Sequence, residues 1–124
     1  MLVVDAANVI GSVPDGWWRD RHGATVRLRD SLAPLARAGL ETAHEHLKPP
    51  LDLLLVVEGK AKGVSSLPEV PVQAAIGSGD DAIVAAVLAS DATVRVVVTA
   101  DRELRKRVEA LGAEVIGPKA LRAR

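Results

Sequence analysis

The chain contains no cysteine, no tyrosine and no phenylalanine, and its only aromatic residues are Trp17 and Trp18. The lack of cysteine excludes disulfides, thiolate catalysis and cysteine-ligated zinc, and it favours a cytoplasmic protein. With so few aromatic rings, a base-stacking surface of the kind used by single-strand-binding proteins is poorly supplied. Valine, leucine, isoleucine and alanine must therefore fill the core.

Net charge and long apolar runs are also missing. The 16 Lys and Arg residues balance the 16 Asp and Glu residues, so only a local basic patch can attract a polyanion such as RNA. No apolar stretch approaches the length of a membrane span, and Asp5 interrupts the N-terminal run without a basic segment before it. We therefore expect an unexported protein with no membrane partner.

The 124 residues suffice for one domain, residues 1–124, in which short apolar segments alternate with helical ones. The patterns predict helices over 23–46, with breaks at Pro34 and Gly39, over 82–89 and after Asp101 as far as Gly112. Strands are predicted over 2–4, 53–57, 72–76, 94–98 and 114–116. This alternation implies right-handed βαβ crossovers, so the predicted fold is a three-layer α/β/α domain with a mainly parallel central sheet.

Acidic residues follow predicted strands or open predicted helices at four places in the chain. The carboxyl ends of parallel strands meet at one crevice, so these side chains are expected to converge. Converging carboxylates repel one another, and a bound cation reverses that cost. Oxygen ligands without cysteine favour Mg²⁺ or Mn²⁺. The predicted metal site contains Asp5, Asp80, Asp81 and Asp101, with Glu58 as a peripheral member.

These segments resemble the PIN-like nucleases and, among them, the NYN-type bacterial domains. The resemblance covers residues 3–116 and rests on the ordered motifs Asp5-Ala6-Ala7-Asn8, Glu58-Gly59, Gly77-Ser78-Gly79-Asp80-Asp81-Ala82-Ile83 and Thr99-Ala100-Asp101. It implies a PIN-like fold and metal-dependent endonucleolytic cleavage of RNA by an activated water. Carried over to the matching positions, it implies that Asp5, Asp81 and Asp101 are ligands and catalytic residues, with Asp80 as a neighbouring or alternative ligand.

Polar and basic side chains near these acids are candidates for supporting the reaction or contacting RNA. An amide after the first strand can orient a phosphate or a metal-bound water, and a hydroxyl after the fourth can hydrogen-bond to the ligands. Positive charges beside the crevice would bind phosphates. These candidates are Asn8, Thr99, Arg105, Lys60 and Lys62. The three histidines show no metal-ligand spacing with a third ligand.

Structural interpretations compete with these functional ones. Asp80 or Asp81 can cap the helix that follows, and Asp101 can cap the next one. Asp5 is more difficult to explain in this way, because a carboxylate buried at the end of a central strand needs a partner, for which Arg105 is a candidate.

Two other functions compete with the ribonuclease hypothesis. A non-catalytic PIN-like module would bind RNA, a nucleotide or a protein partner. A phosphotransfer enzyme with an Asp nucleophile is less well supported, because Ala7 stands where a second Asp is expected. Trp17 and Trp18 permit a homodimer contact, and a protein inhibitor is an expected partner if the protein is a toxin.

Overall fold

A five-stranded parallel sheet forms the centre of the protein, whose computed structural model describes residues 1–61 and 63–122, without the side chains of Lys60 and Arg122. The strand order is β5-β4-β1-β6-β7, so β1 is central. Every neighbouring pair in this sheet is parallel. The strands are β1 (Leu2–Asp5), β4 (Leu53–Val57), β5 (Val72–Ala74), β6 (Val96–Val98) and β7 (Glu114–Ile116).

Helices cover both faces of this sheet. They are α1 (Ala6–Gly11), α2 (Arg21–Ala38), α3 (Gly79–Ala89), α4 (Arg102–Glu109) and α5 (Lys119–Arg122). Because successive strand residues point to opposite faces, Val4 packs in the cluster that contains residues of α1 and α2, whereas Val3 packs against α3 and α4. The result is a three-layer α/β/α arrangement, which confirms the predicted fold class.

The predicted helix over residues 23–46 is wrong at its C-terminal end. Helix α2 ends at Ala38, and Gly39 adopts a φ of 88°, in the left-handed region that favours glycine. A Cβ atom at residue 39 would also lie 2.7 Å from the backbone oxygen of Leu47. The following residues form a small antiparallel pair, β2 (Leu40–Glu41) and β3 (His46–Leu47).

Pro34 was expected to break the helix but lies inside α2. Its side chain is exposed, so the hydrogen bond that proline removes is lost on the solvent side, where water can replace it. His44 and His46, which were placed on the predicted helix, belong instead to the β2–β3 region, and Nδ1 of His46 lies 3.2 Å from Glu41 Oε1.

The remaining boundaries agree more closely with the sequence. The structure has the predicted strands over 53–57 and 114–116, and it shortens those predicted over 72–76 and 94–98. Helix α3 begins three residues before its predicted start. Over the part of the chain that the structure describes, no helix is both long enough and apolar enough to span a bilayer.

We predict that Leu104→Ala lowers the free energy of unfolding by about 2–5 kcal/mol, because Leu104 is fully buried between α4 and the sheet. The matched control is Leu88→Ala on α3, since Leu88 is 67% exposed and its truncation should change stability by less than about 0.5 kcal/mol. Urea denaturation of both variants measures the difference. Equal losses would contradict the described core.

Candidate active site

Asp5 is the most deeply buried carboxylate among the predicted site residues, with an exposed fraction of 5%. It is the last residue of the central strand and the N-cap of α1, where its Oδ1 accepts a hydrogen bond of 3.4 Å from the backbone N–H of Asn8. Its Oδ2 accepts a bond of 2.9 Å from the hydroxyl of Thr99. Among the side chains that the structure describes, no Lys, Arg or His pairs with Asp5.

A hydrogen-bond network joins Asp5 to the end of β6. The buried Thr99 hydroxyl donates to Asp5 and accepts from the backbone N–H of Asp101 at 3.1 Å. The side-chain oxygen of Asn8 accepts from the backbone N–H of Ala100, also at 3.1 Å. Thr99 and Asn8 therefore fix the loop after β6 against the carboxyl end of β1, which makes Thr99 a positioning residue for Asp5.

The second carboxylate of the site is Asp80, in the first turn of α3. Burial raises the pKa of Asp5, although the hydrogen bonds from Thr99 and Asn8 oppose this, and the charges of Asp80 and Glu58 raise the pKa further. Burial also raises the pKa of Asp80, and the charges of Asp101 and Glu58 add to the effect. Neighbouring carboxylates are thus close enough to Asp5 and Asp80 to raise the pKa of each of these two carboxyl groups, and Asp81 contributes to the effect on Asp80.

Glu58 is held beside Asp80 by the start of α3. Its Oε2 accepts a hydrogen bond from the backbone N–H of Gly79. A Cβ atom at residue 79 would lie 2.8 Å from that oxygen, so the glycine permits the close approach. The Glu58 carboxylate also lies at the N-terminus of α3, where the helix dipole attracts negative charge.

Asp81 differs from its neighbour. Its carboxylate lies 2.9 Å from a guanidinium nitrogen of Arg107 on α4, and its side chain is 73% exposed. Arg107 also lowers the pKa of Asp80, but burial and the neighbouring carboxylates outweigh it. Of the two adjacent acids, therefore, Asp80 is the one whose charge acts on Asp5.

The predicted N-caps are correct for one helix and wrong for the other. Asp101 caps α4, because its Oδ1 accepts from the backbone N–H of Leu104 at 3.0 Å. Neither Asp80 nor Asp81 caps α3. Ser78 does so, accepting from the N–H of Asp81 at 3.2 Å. The serine followed three residues later by an acid is the start of a capping box, which was the signal in the sequence for this helix start.

The basic candidates are less closely tied to the site. Arg105 is exposed and pairs with Glu109 at 3.3 Å, so it is not the predicted partner of Asp5. Lys62 and the side chain of Lys60 lie outside the described residues, and their predicted role in binding substrate stays a prediction. Over residues 1–61 and 63–122, no three His, Cys, Asp or Glu side chains are grouped closely enough to hold a metal ion as they stand.

A cleft of about 480 Å³ adjoins the carboxylates. Glu58 and Ser78 line one part of it, and Ile10, Trp17 and Arg21 line another. The guanidinium of Arg21 lies over the Trp17 ring, 5.4 Å from its centroid. The sequence pattern did not predict this cleft, because its walls come from segments far apart in the chain.

The described geometry defines an α/β domain with carboxylates at the C-terminal edge of its sheet. No protein-family model matches the chain, and no curated protein matches it either. The chain is similar in structure to Rae1 (YacP) from Bacillus subtilis, with a TM-score of 0.73 and 21% identity over 99% of this chain and 71% of that one. A crystal structure of the W164L mutant of Rae1 gives a TM-score of 0.72 and 19% identity, over 98% and 72% of the two chains. These matches support the α/β fold with a parallel five-stranded central sheet described above.

We predict that Asp5→Asn raises the melting temperature in metal-free buffer near neutral pH. The raised pKa of Asp5 means that the folded state disfavours the charged carboxylate, so removing the charge relieves that penalty. An asparagine can still accept from the Asn8 N–H and donate to the Thr99 oxygen. Asp91→Asn is the control, because Asp91 is an exposed carboxylate in the loop between α3 and β6.

The same shift predicts how stability depends on pH. Between the unfolded and the raised folded pKa of Asp5, the folded state binds more protons, so its stability falls as pH rises through that window. This component should disappear in Asp5→Asn and persist in Asp91→Asn. Calorimetry at several pH values measures it, and an Asp5→Asn protein that melts below the wild type at neutral pH would contradict the prediction.

Proposed function

We propose that the protein is a metal-dependent endoribonuclease that hydrolyses RNA phosphodiester bonds at the edge of the sheet where Asp5 and Asp80 lie. The observation that carries the proposal is the burial of Asp5 beside carboxylates that raise its pKa, with no cationic partner among the described side chains. Such an arrangement lowers the stability of the folded protein, and a bound cation would offset the repulsion between the carboxylates. The resemblance to PIN-like nucleases and the PIN-like fold support the same assignment.

The residues fit Mg²⁺ or Mn²⁺ by their donor chemistry. All the candidate donors are carboxylate oxygens, which hard divalent cations prefer. Among the described residues, no three acidic side chains are grouped closely enough to surround a metal ion. Mg²⁺, however, usually retains several waters and binds through one or two carboxylates. Asp5 and Asp80 would hold the ion, and Asp101 and Glu58 would add negative charge around it.

The contribution of the chain itself follows from the hydrogen bonds already described. Thr99 and the backbone of Asn8 fix the two oxygens of Asp5, so the carboxylate does not have to reorganise when a ligand binds. When bound, the ion would supply an activated water and positive charge against the phosphate oxygens. Basic residues on α4 are exposed, but Arg105, Lys106 and Arg107 pair with acids. Among the described side chains, Arg102 forms no such ion pair and would provide positive charge for an RNA strand beside the site.

One observation favours the second candidate, a non-catalytic module that binds RNA, a nucleotide or a protein. Arg107 neutralises Asp81, which leaves fewer free carboxylates than the sequence predicted. In that case the remaining acids would bind no metal, and the protein would bind RNA without cleaving it.

We predict that the purified protein cleaves RNA with Mn²⁺ or Mg²⁺, and that Asp5→Asn and Asp80→Asn each reduce the rate by about 100-fold or more. Loss of metal-mediated charge stabilisation costs several kcal/mol, and each 1.36 kcal/mol is tenfold in rate. Asp81→Asn is the matched control on the next residue of α3, with an expected loss below about tenfold because its carboxylate pairs with Arg107. Gel analysis of a defined single-stranded and a structured RNA measures the rates.

Contaminating nuclease is recognised by activity that all three variants retain equally. Retained cleavage by Asp5→Asn at the wild-type rate, or no cleavage by the wild type with either metal, would contradict the proposal. RNA binding without cleavage would support the non-catalytic alternative.

A further inference from the structure

The cleft beside the carboxylates has the dimensions and walls of a small-ligand pocket. Its volume of about 480 Å³ lies within the range of about 300–1,000 Å³ that such pockets occupy. Much of its wall is apolar, with Ala7 and Ile10 from α1 on one side, and Trp17 supplies an aromatic ring. An apolar slot with an aromatic side chain suits a flat, weakly polar ring.

Two charged groups give the cleft polarity at defined places. Arg21 lies over the Trp17 ring, so an aromatic ring and a guanidinium plane, the two groups on which nucleobases stack, stand together in the wall. Glu58 lines the same cleft, and its Oε2 is occupied by the N–H of Gly79. No described residue donates to its Oε1, which is therefore an acceptor for the amino group of a base.

The position of the cleft connects it to the proposed reaction. The charge of Glu58 acts on both Asp5 and Asp80, and the same side chain lines the cleft. An RNA strand whose phosphate lies at Asp5 and Asp80 would bring a neighbouring base to the cleft entrance. A free apolar metabolite would not need to bind close to Asp5 and Asp80, whereas a nucleotide of the RNA substrate would.

We infer that the cleft is a binding pocket for one nucleobase of the RNA strand, adjacent to the phosphate that is cleaved. The inference rests on the proposed function for the identity of the strand. The base stacks at Trp17 and Arg21, and an amino group of the base donates to Glu58. The pocket thereby positions the strand and favours bases that carry an exocyclic amino group.

Adenosine tests the pocket without metal or phosphate, and ribose is the probe without a base. Trp18→Phe leaves Trp17 as the sole tryptophan, so quenching of its fluorescence reports binding in the cleft. In buffer with EDTA, adenosine should quench this fluorescence saturably and ribose should not. Oligoadenylate should displace adenosine, because the occupant is a base of a strand.

A substitution that places a large side chain in the cleft tests whether adenosine binds there. Ala7 is exposed on α1 and lines the cleft, so Ala7→Phe should weaken adenosine binding by about tenfold or more without disturbing the core. Ala85→Phe is the matched control, because Ala85 is an exposed helical alanine on α3 outside the cleft. Thermal melting verifies that both variants fold, and the comparison of adenosine with ribose does not depend on either variant.

Equal behaviour of adenosine and ribose, or of Ala7→Phe and Ala85→Phe, would overturn the inference. So would adenosine that binds but is not displaced by oligoadenylate, since that result indicates a site for a free nucleoside. Failure here is separable from failure of the proposed function. RNA cleavage without adenosine binding removes only the pocket, whereas adenosine binding without cleavage keeps a base-binding pocket and removes the nuclease together with the cleaved phosphate beside that pocket.

Discussion

Asp5 ends the central strand with only 5% of its surface exposed, so hydrogen bonds rather than water must hold its carboxylate. The hydroxyl of Thr99 and the backbone N–H of Asn8 supply those bonds. The side-chain oxygens of both residues also accept hydrogen bonds from backbone N–H groups of the loop that leads into α4. The position of Asp101 follows from the same network. The site is therefore built around one buried carboxylate, whose hydrogen-bond donors come from the first turn of α1 and from the residue that follows β6.

The second constraint is the start of α3. Consecutive residues of a helix point about 100° apart, so the adjacent Asp80 and Asp81 make different principal contacts. Asp80 interacts with Asp5, Glu58 and Asp101, whereas Asp81 pairs with Arg107 on α4. Asp80 thus belongs to the acidic cluster, whereas Asp81 forms an ion pair with Arg107 and still raises the pKa of Asp80. The raised pKa values of Asp5 and Asp80 mean that the ionised forms of these carboxyl groups lower the stability of the folded state.

The positions of the strands and the edge at which the acids gather could be predicted, because short apolar runs ending in an acid are local features of the sequence, whereas the order of the strands in the sheet was not predicted. The break at Gly39 was predicted, but the β2–β3 pair that follows it was missed, since that pair depends on a close approach of Gly39 to Leu47 rather than on a local pattern. The choice between Asp80 and Asp81 depends on where α3 begins, and that start is set by Ser78. The cleft with Trp17 and Arg21 is assembled from distant segments, so no local pattern indicates it.

We propose that Asp5 belongs to a divalent-cation site, and a titration of thermal stability with Mn²⁺ tests this proposal most directly. A ligand that binds only the folded state stabilises it by mass action, by about 2.7 kcal/mol at one hundred times its Kd. If Asp5 holds the ion, Mn²⁺ should raise the melting temperature of the wild type saturably, and this rise should be lost in Asp5→Asn. No rise in the wild type, or an equal rise in Asp5→Asn, would contradict it.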